Sequence, residues 1–249
     1  MANLISIISL ILITGGYLFL RYKLNMNNLS PALRTSLPFI YLIVLMLVQV
    51  GTNTVAIRTI CGQIDMGRLI LATFIPWTAI FGILIMLLNV FPGWKAPFSN
   101  TIGYLMIRGD ASEIIPKIFK GKMTANKSGE FAQALEYIYD DQSLLINEIT
   151  PMNFDSFWDK MTRSKLIVDT AQIDTYKQQL RNLVKLKDII ATGIWYLLAG
   201  LLVTSFSYQN MISAKCEKSI VEMKKGEQTH KEQMESEVNE TRKIYSSRE

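Results

Sequence analysis

Two cysteines, Cys61 and Cys216, and one histidine, His230, are the whole supply of thiol and imidazole in 249 residues. Two thiols cannot build a disulfide framework, and with one histidine they fall short of a four-ligand structural zinc site. A Cys–His nucleophile pair needs both groups within hydrogen-bond reach, and His230 sits among the charges of the tail. Neither GxxxxGKS/T nor GxGxxG occurs, so the usual nucleotide cradles are missing. These absences predict a protein without metal, cofactor or enzymatic activity. Acidic residues are scarce at one end. Residues 1–94 hold Asp65 against five bases, Arg21, Lys23, Arg34, Arg58 and Arg68, so most of the net charge of +5 lies there. Positive charge beside apolar runs sets membrane orientation. It predicts no nucleic-acid partner.

Long apolar runs are present, and they organise the chain. Asn3 to Leu20 is an uncharged run of 18 residues ending at Arg21-Tyr22-Lys23. A hydrocarbon core of ~30 Å takes about 20 helical residues. A cleaved signal peptide would place basic residues before the run and a small-residue site after it. Here the bases come after the run, which predicts an uncleaved anchor. The second run, 39–57, comes after Pro38, expected at the first helical position. Its first half is apolar, and its second half contains Gln49, Gly51, Thr52, Asn53 and Thr54. Small, hydroxyl and amide side chains let helices approach closely and bond across the contact. Gln49, Thr52, Asn53 and Thr54 are therefore read as a span-packing face. The third run, 69–91, holds Pro76, where a kink or break is expected, and closes on Phe91-Pro92-Gly93-Trp94. The fourth, 189–208, continues an amphipathic stretch from Asp174, which predicts one helix from Asp174 to Tyr208.

The expected fold is an all-α membrane protein with about four transmembrane helices. Its parts are a three-span region at 1–94, a helical extramembrane domain at 95–188, the fourth span at 189–208 and a charged tail at 209–249. Four spans put both termini on one side. The bases of residues 21–38 and of Lys177 to Lys187 put the two loops on the cytoplasmic side. Within the domain, Ala111 to Lys120 suggests a short helix interrupted at Pro116. Glu130 to Ile149 has helical spacing. Asn153 or Asp155 is placed to cap a helix carrying Phe157, Trp158 and Met161. Glu136, Asp140, Asp141, Asp155 and Asp159 read as a solvated helix face rather than paired catalytic carboxylates. Phe154, Phe157 and Trp158 read either as core or as a partner-binding patch, the latter together with the basic residues Lys117, Lys120, Lys122 and Lys127.

One stretch has a distinctive order of residues. Ile60-Cys61-Gly62 and Ile75-Pro76-Trp77 precede Phe91-Pro92-Gly93-Trp94-Lys95-Ala96-Pro97-Phe98-Ser99-Asn100-Thr101-Ile102-Gly103-Tyr104. Physically this is a corner. Pro92, Gly93 and Pro97 end a helix and turn the chain, while Phe91, Trp94 and Phe98 suit headgroup level. Ser99, Asn100 and Thr101 can bond the turn or cap the next segment. The succession resembles a family of multi-span virion membrane proteins from large DNA viruses of algae and protists, the phycodnavirus and mimivirus-like groups. The resemblance covers residues 60–104 and carries no catalytic residue.

The resemblance implies a capsid-associated structural protein of the internal virion membrane, residing in a host internal membrane before assembly. Its partners would be the lipid bilayer and capsid or minor capsid proteins, and a homo-oligomer is compatible with it. A second reading is a small channel or transporter using the polar face around Gln49–Thr54. A third, a membrane-embedded enzyme, would rest on Cys61 with Asp65.

Overall fold

Runs of large aliphatic residues, unbroken by charge, dictate the long helices, which satisfy their own backbone groups without water. The structure is a computed structural model, and it describes residues 2–24, 30–61, 66–119, 141–213, 224 and 227–235. Helix α1 is Ala2–Lys23 and α2 is Pro31–Cys61. The first helical position of α2 belongs to Pro31 and not to the expected Pro38, which lies inside the helix. The reason is a cap: the Ser30 hydroxyl accepts the Leu33 amide at 3.3 Å and starts the helix early.

The third apolar run is continuous helix. It comprises α3 (Met66–Pro76), a π-helical segment (Trp77–Gly82) and α4 (Ile83–Val90). Of the kink or break expected at Pro76, a break does not occur: the helix passes into this π segment, entered at φ −63° and ψ −40°. Proline removes one ladder hydrogen bond and crowds the preceding turn. The wider π turn accommodates both, and helical geometry resumes at Ile83. The same segment delivers Trp77 and Phe81 fully into the interior.

Phe91 leaves helical geometry at φ −119° and ψ 76°. A 3-10 turn (Pro92–Lys95), α5 (Ala96–Phe98) and a second π segment (Ser99–Gly103) then lead into α6 (Tyr104–Ile118). Pro116 lies within the last turn of α6 without interrupting it; the helix forfeits only the proline's own missing amide bond and ends two residues later, at Ile118. Helix α7 is Gln142–Glu148, capped where the Asp141 carboxylate accepts the Ser143 amide at 2.9 Å. Helix α8 is Phe154–Arg163. Asn153 precedes it, but its side chain serves the preceding turn: its amide group donates to Glu148 O and its Oδ1 accepts the Thr150 amide. Helix α9 (Ile173–Ser213) is one rod of 41 residues. Among the described residues the only extended pairing is one bridge between Phe119 and Ile167.

Among the described residues four helices are long and apolar enough to cross a membrane: Leu4–Lys23, Ser36–Thr59, Met66–Val90 and Ile173–Met211. Their shared interior is built on Leu10, Tyr17, Tyr41, Trp77, Phe81 and Tyr196. The Tyr41 ring stacks on Tyr17 at 4.4 Å and on Tyr196 at 5.5 Å, joining α2 to α1 and α9. Gly193 and Gly200 let α1 close on α9, since a Cβ there would lie 2.5 Å from Leu18 and 2.6 Å from Leu10. A separate apolar core joins α6, α7 and α8 to the first half of α9 through Ile107, Ile115, Ile146, Phe154, Trp158 and Val184. Residues 212–249 form a second unit, in which 227–235 are helical and carry a Lys231–Glu227 pair at 2.8 Å.

Candidate functional site

The last charged turn of α9 before its apolar half, Lys185 to Asp188, gathers the rest of the fold. Asp188 accepts two hydrogen bonds from Lys95 Nζ, at 2.6 and 2.8 Å, and lies 3.6 Å from the Arg21 guanidinium. These side chains are 12 to 21% exposed, so water screens the triad only in part. It ties the end of α1 and the corner after α4 to one carboxylate, although Lys95 and Asp188 are 93 residues apart. A carboxylate with two cationic neighbours in a partly dry setting gains more than an exposed pair does.

Lys185 points to another side of the rod. Its ammonium donates to Tyr22 O at 3.1 Å and Leu24 O at 2.9 Å, the open carbonyls at the end of α1. A cation at this end of a helix also meets the negative pole of its dipole. Lys187 is buried, and its ammonium donates to Ile146 O at 2.6 Å near the end of α7, with Asn100 Oδ1 at 3.4 Å. Gly103 makes that approach possible, because a Cβ there would lie 2.9 Å from the Lys187 carbonyl oxygen. That neighbour is backbone and cannot swing away. Three charged side chains on one turn thus fix α1, α7 and the corner to a single rod.

The corner residues fall into two groups. Phe98 packs edge-on against Trp195 at 5.1 Å, and the Trp195 indole N–H donates to Trp94 O at 2.9 Å. Ser99 is buried, Asn100 faces Lys187, and the Thr101 hydroxyl donates to Pro97 O. Phe91 and Trp94, by contrast, are exposed. Pro92 and Gly93 occupy the 3-10 turn, and Pro97 lies within α5.

The polar face of α2 is occupied by its neighbours. Gln49 donates to Ser6 O at 3.1 Å and to Ser9 Oγ at 3.3 Å, Thr52 accepts the Ser6 hydroxyl at 2.8 Å, and Asn53 donates to Thr73 Oγ1 at 2.9 Å. Thr54 bonds back to Val50 O within its own helix.

The candidate partner-binding rings need correction. Phe154 and Trp158 are buried in the domain core and Phe157 is half-buried, because α8 turns its apolar side onto α6 and α9. Their outer edges are covered as well: the Arg181 guanidinium lies 4.8 Å from the Phe154 ring centre and the Lys177 ammonium 5.3 Å from that of Trp158. Arg181 also pairs with Asp155. These rings offer no free patch. Lys117 is exposed and pairs with Glu113, whose carboxyl it holds below the ordinary range by hydrogen bond and charge. Lys120, Lys122 and Lys127 lie outside the described residues, as do Asp65, Glu136 and Asp140. Asp141 is described, and the Ser143 bonds hold its carboxyl low.

Sequence reasoning missed Lys187, Gly103 and the Asp188 triad. The available signal was position: Lys185, Lys187 and Asp188 directly precede an apolar run. Among the described residues no group of three or more His, Cys, Asp or Glu is placed to hold a metal ion. No protein-family profile, curated protein or solved structure matches the chain.

Proposed function

We propose that the chain is a structural membrane protein that anchors a protein shell to a bilayer, with four helices in the lipid and the helical domain standing on its surface. The carrying observation is α9. One unbroken helix supplies Leu180, Leu183 and Val184 to the domain core and Tyr196 and Val203 to the bundle core, with the Lys185–Asp188 clamp between them. A hinge at this point would dissipate force between membrane and shell; a clamped rod transmits it. The resemblance of residues 60–104 supplies the setting: the internal membrane of a large DNA virus, with capsid or minor capsid proteins as partners. Because Phe154 and Trp158 are enclosed, the outward surface for attachment is the polar exterior of the domain, including Lys117.

The engagement of Gln49, Thr52 and Asn53 by neighbouring helices favours a packing role over a solute path along α2. The test is lysine-directed cross-linking of intact virions carrying the protein. The anchor reading expects links from Lys117, Lys160 or Lys165 to capsid proteins. Capsid links confined to the tail, at Lys224 or Lys231, would overturn it.

A further inference from the structure

The corner leaves an apolar ridge that the bundle and the domain core do not use. Val90 is 65% exposed and Trp94 49%, and beyond the turn Leu105 and Met106 are 66% and 67% exposed. Ile102, Leu105 and Met106 stand at i, i+3 and i+4, one helical face. The opposite face, Gly103, Ile107 and Ala111, is buried against the rest of the domain. From Arg108 onward the exposed positions of α6 become mostly polar: Asp110, Ser112, Glu113 and Lys117. One helix therefore changes the character of its outer face partway along its length.

We propose that this ridge, from Val90 through Met106, embeds at the boundary between headgroups and acyl chains, with its apolar side chains on the acyl side, so that the protein holds the membrane by a surface element as well as by its spans. The inference rests on the membrane reading above. Three observations identify lipid, rather than protein, as the occupant. The ridge begins at Val90, at the end of the exposed aliphatic exterior of α4 that includes Ile83 and Met86. Its depth is fixed by Gly103, which abuts Lys187, next to the residue where α9 turns from charged to apolar. Ile102 to Met106 rises about 6 Å along a helix axis, which fits the ~5–10 Å to which interfacial helices embed. Trp94 adds a ring whose amphipathic character suits that layer. Leu105 and Met106 then face acyl-chain ends and headgroups, while Ser112 faces water.

The test uses the full chain with Cys61→Ser and Cys216→Ser, carrying a single cysteine in place of Leu105, Met106, Ser112 or Leu198. Each is nitroxide-labelled in phosphatidylcholine vesicles, and collisions with oxygen are compared with those of a water-soluble nickel chelate. The ridge predicts an excess of oxygen collisions at 105, 106 and 198, and an excess of nickel collisions at 112. If 198 behaves as lipid-facing while 105 and 106 behave like 112, or are shielded from both agents, the ridge proposal fails. If 198 itself collides with nickel, the membrane reading fails with it.

Discussion

The bundle and the domain that share α9 obey opposite rules of side-chain placement. In the domain the buried set is aliphatic and aromatic, from Ile107 to Val184, and outward positions such as Asp110, Glu113, Lys117 and Lys160 are charged. In the bundle Ser6, Thr14, Gln49, Asn53, Thr73 and Thr204 are buried, while Leu4, Leu12, Leu47, Ile75, Ile83 and Leu202 face outward. The domain follows the rule for water, in which apolar area is removed from solvent. The bundle follows the rule for lipid. There apolar surface gains nothing by turning inward, and polar side chains supply interhelical bonds instead. The two patterns exchange within a few residues of Asp188, which is why the charged clamp sits there.

The domain rule breaks first and hardest. Phe154→Ala removes a buried ring between α8 and α9 and is expected to destabilise the domain by about 3–5 kcal/mol. The measurement is the midpoint of limited-proteolysis protection of residues 141–185 in the membrane-reconstituted chain. A loss below about 1 kcal/mol, well short of the usual cost of emptying a core site, would mean that α8 does not share this core.

The bundle rule is tested from outside. Leu47, near the middle of its apolar helix, is 63% exposed. Leu47→Asp should cost roughly 3–4 kcal/mol of insertion free energy in a microsomal glycosylation-reporter assay. Ser112→Asp, on the domain exterior, should change domain stability by no more than ~0.5 kcal/mol. Equal effects at the two positions would erase the distinction between the regions.

The clamp comes next. Asp188→Ala leaves Lys95 and Arg21 facing each other without the shared carboxylate and should cost about 1.5–3 kcal/mol. Its signature is faster hydrogen exchange in the corner, residues 92–103, with α8 unchanged. Uniform loosening of both regions would argue that Asp188 is not a local fastener.

The smallest effect belongs to the interior polar contacts of the bundle. Asn53→Leu removes the bond to Thr73 and should cost about 0.6 kcal/mol, reaching ~1.7 at most. A double-mutant cycle with Thr73→Val, read from reversible unfolding in mixed micelles, isolates that coupling. A coupling of zero would place the two side chains apart.

Legibility in the sequence depends on locality. Apolar runs are contiguous, so the four long helices and the corner after Phe91 were visible. Gln49 and Asn53 stood out because amides are rare in such runs. The clamp was hidden because its pairs are distant: Lys95 with Asp188, and Lys185 with the end of α1 across 163 residues. Lys187 looks like any lysine of an amphipathic stretch, and only the fold shows it enclosed beside Gly103. Pro76 was recognised as a disturbance, yet a π segment and a break have the same sequence signal. Phe154 and Trp158 were ambiguous because an aromatic cluster has the same composition in a core and in a docking patch.

The proposed membrane reading makes this a chain built for two solvents, with their boundary expected at the Arg21–Lys95–Asp188 level. The most direct measurement is a cryo-electron-microscopy density map of the full chain in lipid nanodiscs. The account predicts bilayer density around the four long helices, an edge at that triad and the α6–α8 domain standing clear of the hydrocarbon. A bilayer edge away from the triad, or domain helices enclosed by hydrocarbon density, would contradict it.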